Sequence, residues 1–96
     1  MIITDGAASA LAGIVSDPFM WYGGEGMMYV WGNLGDGVLY IEHTPDKDNP
    51  NLWYFLEFTE IFEPTAVRFS LPHGVYCRIV LRNNQQAVTG LNVKVY

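Results

Sequence analysis

Ninety-six residues, half of them apolar and 15% aromatic, supply one hydrophobic core and leave no room for a cofactor domain beside a substrate domain. The charged fraction of 16% is low for a disordered chain, and five basic residues against ten acidic ones, net charge −5, cannot form the phosphate-neutralising stripe of a nucleic-acid binder. The lone Cys77 excludes an intrachain disulfide framework and a Cys-rich zinc site, fits assembly in a reducing cytoplasm, and reads as a small core hydrophobe.

Residues 1–26 are rich in Ala and Gly, show no sustained period, and end in Phe19, Met20, Trp21 and Tyr22 followed by Gly23, Gly24, Glu25 and Gly26. The opening has Asp5 but no Lys or Arg, and its apolar run is short and Gly-broken, so neither a signal peptide nor a membrane span is expected. Either an extended arm or a short helix over residues 7–15 capped by Asp5 fits this composition. The division expected is an irregular N-terminal arm, 1–26, and a β-sandwich domain, 27–96. The arm would carry Phe19, Trp21 and Tyr22 to a neighbour and be dispensable for folding.

From Met27 onward, short runs rich in Val, Ile, Tyr, Phe and Trp alternate with Gly, Pro, Asn and Asp punctuation, which predicts strands over 27–31, 38–43, 52–58, 65–71, 75–82 and 91–96. Residues 32–37, with three glycines and Asp36, suit a hairpin loop that needs positive φ. Residues 44–51 hold Pro45, Pro50 and four Asx side chains, which makes them a loop. Strand parity sends Val75, Cys77, Ile79 and Leu81 inward with Tyr76, Arg78, Val80 and Arg82 outward. By the same rule Val67, Phe69, Leu71, Leu91, Val93 and Val95 point inward, and Arg68 and Lys94 outward. The run 52–58 is apolar on both faces, so it is either central and covered twice or has one face, with Trp53 and Phe55, awaiting a partner. About six short strands at this spacing predict an all-β fold, a small antiparallel β-sandwich or jelly-roll-like domain.

Little catalytic chemistry survives the same reading. Asp46, Asp48 and Glu57 have EF-hand-like spacing, but Pro50 and Asn51 stand where a ligand and the obligatory glycine belong. His43 and His73 are the only imidazoles, too few for a three-histidine zinc site. A Cys77–histidine nucleophile would require Cys77 to leave the apolar face it occupies by parity. No enzyme activity, metal or cofactor is expected.

Charge is segregated along the chain. All ten carboxylates, among them Glu57, Glu60 and Glu63, fall in residues 1–63 beside one base, Lys47; residues 64–96 hold Arg68, Arg78, Arg82 and Lys94 and no acid. The two halves either neutralise each other within one fold or meet across a head-to-tail contact between copies. With the doubly apolar run 52–58, this predicts a homo-oligomer, with a trimer as the expected number. The many aromatics fill a core and an interface in one reading and stack on sugars in a second.

The segment 28–96 resembles small β-sandwich proteins encoded in the structural gene clusters of tailed bacteriophages. The resemblance is carried by Tyr29, Val30, Trp31 and Gly32; by the stretch from Gly37 through Glu42, His43, Thr44, Pro45 and Asp46 to Trp53; by Leu71, Pro72, His73 and Gly74 leading into Val75, Tyr76, Cys77 and Arg78; and by a closing Asn92, Val93, Lys94, Val95 and Tyr96. The Ala/Gly-rich opening and the proline-containing 44–51 loop depart from the pattern. The resemblance implies a non-enzymatic virion structural protein assembled in the host cytoplasm. It would be a capsid decoration (cement) protein binding the major capsid protein or another virion protein, or a head–tail or tail accessory part. A glycan-binding sandwich module is the alternative from another class.

Overall fold

The computed structural model describes residues 2–8 and 12–96, and among these the only regular secondary structure is β. Nine strands run in chain order: β1 (Ile2–Ala8), β2 (Ile14–Val15), β3 (Phe19–Met20), β4 (Gly24–Trp31), β5 (Val38–Thr44), β6 (Tyr54–Phe55), β7 (Thr65–Leu71), β8 (Tyr76–Arg82) and β9 (Val88–Val95). One sheet has the order β1-β9-β4-β7. The other has β2-β8-β5-β6, with β3 pairing the same strand as β2. Ile14 and Val15 lie opposite Leu81 and Val80, while Phe19 and Met20 lie opposite Cys77 and Tyr76, so β2 and β3 are two pieces of one strand interrupted around Pro18. Counted that way, eight antiparallel strands form two four-stranded sheets between which the chain repeatedly crosses, the plan of a jelly roll.

The predicted strands from residue 27 onward are present, with 52–58 the exception, and the parity assignments hold. Met28, Val30, Phe69, Leu71, Leu91, Val93 and Val95 from one sheet meet Leu39, Ile41, Cys77, Ile79 and Leu81 from the other in one buried cluster. Burying each such aliphatic or aromatic side chain contributes about 1.5–3 kcal/mol, which makes this cluster the main source of stability. Val80 departs from the simple alternation. It faces outward by parity, yet it is fully buried between Val15 and Tyr40 on the flanking strands.

Three expectations are corrected. First, the loop over residues 32–37 has the expected positive φ at Gly32, Gly35 and Asp36, but it carries the chain from one sheet to the other instead of closing a hairpin.

Second, the segment expected as an irregular arm is largely sheet. β1 pairs with β9 from Ile2 opposite Lys94 to Ala8 opposite Val88. Ser16 N–H donates to the Ile79 carbonyl at 2.9 Å, and Ile79 N–H returns a bond to the Ser16 hydroxyl at 2.8 Å. Trp21, at 2% exposure, is core: its ring stacks on Tyr22 and packs at 4.9 Å on Phe69, and its indole N–H donates to the Gly24 carbonyl at 3.2 Å. Aromatic bulk beside an open sheet edge outweighed the weak local propensity that suggested an arm. The helix alternative over 7–15 falls partly on residues 9–11, outside the described residues; residues 7–8 and 14–15 at its ends are strand.

Third, the run 52–58 is neither central nor a full strand. Only Tyr54 and Phe55 pair, opposite His43 and Glu42, at the edge of the sheet.

Candidate interaction surfaces

Beyond Phe55 the chain leaves β5 and then returns to it. Leu56 N–H still donates to the Ile41 carbonyl at 2.9 Å, and Ile61 exchanges both backbone bonds with Leu39, at 2.9 and 2.7 Å. Between these anchors residues 57–60 bulge out of the sheet edge. The ladder position they vacate is filled by a side chain: the buried Thr59 hydroxyl accepts the Ile41 N–H at 3.2 Å and donates to the Leu56 carbonyl at 2.6 Å. Held this way, Phe58 takes φ 66°, a left-handed conformation costly for a bulky side chain, and stands 87% exposed. Phe62 is 69% exposed, and Phe55, Glu57, Glu60 and Glu63 are exposed around them. A left-handed backbone under an exposed Phe makes this loop the first candidate for a contact surface.

Removing that strain gives a prediction. Phe58→Gly loses almost no packing and relieves the left-handed cost, so it should raise stability by about 0.5–1 kcal/mol. Thr59→Val should lower it by about 1–3 kcal/mol, because it leaves the Ile41 N–H without its acceptor. Thermal melts of both variants check this; a destabilised Phe58→Gly would show that the ring is held by packing.

The second surface lies on the outer face of the sheet that contains β4. Glu25, Met27, Tyr29 and Trp31 alternate outward along β4. Arg68 is opposite Met27, and Lys94 is opposite Tyr29. Tyr22, Glu25, Met27, Tyr29, Arg68 and Tyr96 line an open groove of about 370 Å³. A second hollow of about 440 Å³, lined by Phe19, Met20, Val95 and the same two tyrosines, Tyr22 and Tyr96, adjoins it. Tyr29 and Tyr96 meet edge to face at 5.8 Å, and the Lys94 ammonium sits 4.7 Å from the Tyr96 ring centre. Tyr22 stands 66% exposed at the shared wall.

A third cluster, on the outer face of the other sheet, is satisfied within the chain. Arg78 donates to Glu42 at 2.8 Å while its guanidinium lies 4.1 Å above the Trp53 ring, which is half-buried beneath it. Phe55 packs edge-on against Tyr40 at 5.2 Å. Arg78 and Trp53, expected at an interface between copies, are therefore engaged by their own chain. Among the described residues the other ion pair is Lys47–Asp48, so Arg68, Arg82 and Lys94 on one side and Glu57, Glu60 and Glu63 on the other have none.

The sequence-predicted interface residues thus separate. Trp21 is core, and Phe19 is half-buried against it. Tyr22 and Arg68 share the groove, with Lys94 over its Tyr96 wall. Phe55 stays on β6 against Tyr40, Glu57, Glu60 and Glu63 lie exposed along the segment that follows it, and Arg82 is exposed at the end of β8. The reading missed Phe58, Phe62, Tyr29, Met20 and Tyr96. A glutamate at every third position through Glu57, Glu60 and Glu63, which no strand alternation produces, was the available signal for the loop.

The groups that could carry catalysis are arranged differently. Among the described residues no cluster of three or more His, Cys, Asp or Glu side chains could hold a metal ion. Asp46 and Asp48 instead shape their own loop, the Asp46 carboxylate accepting the Asp48 N–H at 3.1 Å. Cys77 lies opposite His43 in the ladder, and burial pushes the thiol up to about 12 while it lowers the imidazole. Both neutral forms are favoured, the reverse of a thiolate–imidazolium pair. The Cys77 contribution to stability is complete below the ordinary thiol value of 9.0 and is lost as pH rises from there toward 12. At pH 8 the native thiol should resist a disulfide reagent that labels the guanidinium-unfolded chain at once; equal rates in the two states would contradict this burial.

No protein-family model matches the chain, and no curated protein matches it significantly. No described helix is long and apolar enough to cross a membrane.

Proposed function

We propose that the protein is a non-catalytic assembly protein of the virion, a capsid decoration protein that binds and reinforces a lattice of capsid subunits. The observation that carries this reading is the segment of residues 56–63, which is fixed at the sheet edge by Thr59 and Ile61 and exposes Phe58 and Phe62. A decoration protein needs a small stable fold with apolar anchors held ready for a partner, since a preorganised anchor loses little entropy on binding. The resemblance of residues 28–96 to phage structural-cluster proteins supplies the partner class, and jelly rolls are found among viral capsid and lectin domains alike.

The test is co-sedimentation of the purified protein with shells assembled from the major capsid protein of the same phage. Saturable binding, weakened at least tenfold by Phe58→Ser, is expected. Absence of shell binding by the native protein would overturn the reading. Glycan binding is the second reading, favoured by the tyrosine-lined groove. Sugar stacking calls for open ring faces, however, and Tyr29 and Tyr96 stand at 84° to each other, with the Lys94 ammonium over the second ring.

A further inference from the structure

We propose that the projecting loop of one copy docks into the tyrosine groove of the next, so that the chain self-associates head to tail. This rests on the assembly reading above and assigns the contact between neighbouring copies. The loop offers Phe58 and Phe62 flanked by Glu57, Glu60 and Glu63, all exposed. The groove offers apolar walls of Tyr22, Tyr29 and Tyr96 with Arg68 on its lining and Lys94 beside it. Glu25 also lines the groove, which leaves two cations to one carboxylate there against three carboxylates on the loop. None of the loop glutamates, and neither Arg68 nor Lys94, has an ion-pair partner among the described residues. Apolar character and charge therefore complement each other between two exposed surfaces of one copy.

The two surfaces belong to different sheets: the loop leaves the edge of the sheet that contains β5, and the groove lies on the outer face of the sheet that contains β4. Among the described residues no ion pair joins the loop glutamates to Arg68 or Lys94 within one chain. Two different surfaces that satisfy each other between copies define a heterologous contact, which closes into a ring or continues as a filament. The contact draws on both halves of the segregated sequence, Glu57, Glu60 and Glu63 on the loop and Arg68 and Lys94 at the groove.

The experiment uses the full chain and two variants, Phe58→Ser, which spoils the loop, and Arg68→Glu, which spoils the groove. Both side chains are exposed, so both variants should fold, and a cooperative melt verifies it. The native chain is expected to show oligomers by sedimentation and native mass spectrometry, weakened as salt rises from 50 to 500 mM. Each variant alone should associate at least about 30-fold more weakly. An equimolar mixture of the two should form a dimer and nothing larger, because it holds one intact loop facing one intact groove. A monomeric native chain, variants that keep the native mass, or a mixture that stays monomeric would overturn the contact. A native monomer whose groove binds an oligosaccharide would overturn it in favour of a sugar site. Self-association is read without shells, so its failure strikes this contact alone, and failure to bind shells strikes the decoration reading alone.

Discussion

A chain lacking residues 1–22 should lose its cooperative thermal transition. The deletion removes β1 from the edge of one sheet and the interrupted strand β2–β3 from the edge of the other, which uncovers β9 and β8. It also removes Trp21, whose backbone exchanges bonds with the turn before β8: Trp21 N–H donates to the Val75 carbonyl at 2.8 Å, and Gly74 N–H donates to the Trp21 carbonyl at 3.1 Å. The Asn84 side chain, fully buried, would lose the Gly13 N–H that it accepts at 2.9 Å. Trp21→Ala alone should cost about 3–5 kcal/mol, a large share of the roughly 5–15 kcal/mol that holds a small domain together. Calorimetry decides the matter. A truncated chain that still melts cooperatively near the native temperature would make the first 22 residues an appendage after all.

Gly32→Ala should be nearly as damaging, by a different route. Gly32 follows the last residue of β4 at φ 100°, where a side chain is strained whatever its surroundings. A Cβ there would also stand 2.0 Å from the Gly90 carbonyl oxygen and 2.9 Å from its carbon, both backbone atoms of the adjacent strand. Neither atom can swing aside without breaking the β4–β9 ladder, which pairs Trp31 with Asn92 just beside it. Strain of about 1–3 kcal/mol and overpacking of a similar size together predict a loss of about 3 kcal/mol or more. By contrast, Gly24→Ala meets no atom within 4 Å and bears the conformational strain alone, so it serves as the control. Equal melting temperatures for the two variants would show that the backbone contact relaxes freely.

How much of this was legible depended on whether the information was local. Alternation along residues 65–71, 75–82 and 91–96 reports a face buried on one side of a strand, so core positions such as Phe69, Ile79 and Val93 follow from parity alone. Where a strand goes after its turn is not local. Gly32, Gly35 and Asp36 announce positive φ in a hairpin and in a crossing between sheets equally well. The role of residues 1–26 was obscured for a related reason: β2 and β3 have two residues each, too short to display a period, and exist because β8 offers an open edge. Around Phe58 the composition reads as strand while a buried hydroxyl two bonds off the backbone, on Thr59, decides otherwise. Of the groove residues, aromatic character and charge pick out Tyr22 and Arg68 in the sequence, though not their place side by side. Tyr29 and Tyr96 needed the β4–β9 register before they could be placed side by side.

The pairing of β1 with β9 also sets the order of events during synthesis. Ile2 must wait for Lys94, and at roughly 5–20 residues per second the ribosome takes several seconds to deliver it. The sheet β1-β9-β4-β7 cannot be completed before then, and the other sheet waits for its own late central strand, β8. The nascent chain thus spends that interval with β1 unpaired, and barrier crossing on the millisecond-to-second scale typical of such non-local β topologies begins only once β9 has emerged. An opening segment made largely of Ala, Gly, Ser and Thr, with Asp5 in its midst, is poorly suited to forming sticky β-aggregates while it waits. The composition that sets residues 1–13 apart from the rest of the sequence is in this sense a kinetic safeguard for a strand translated long before its partner.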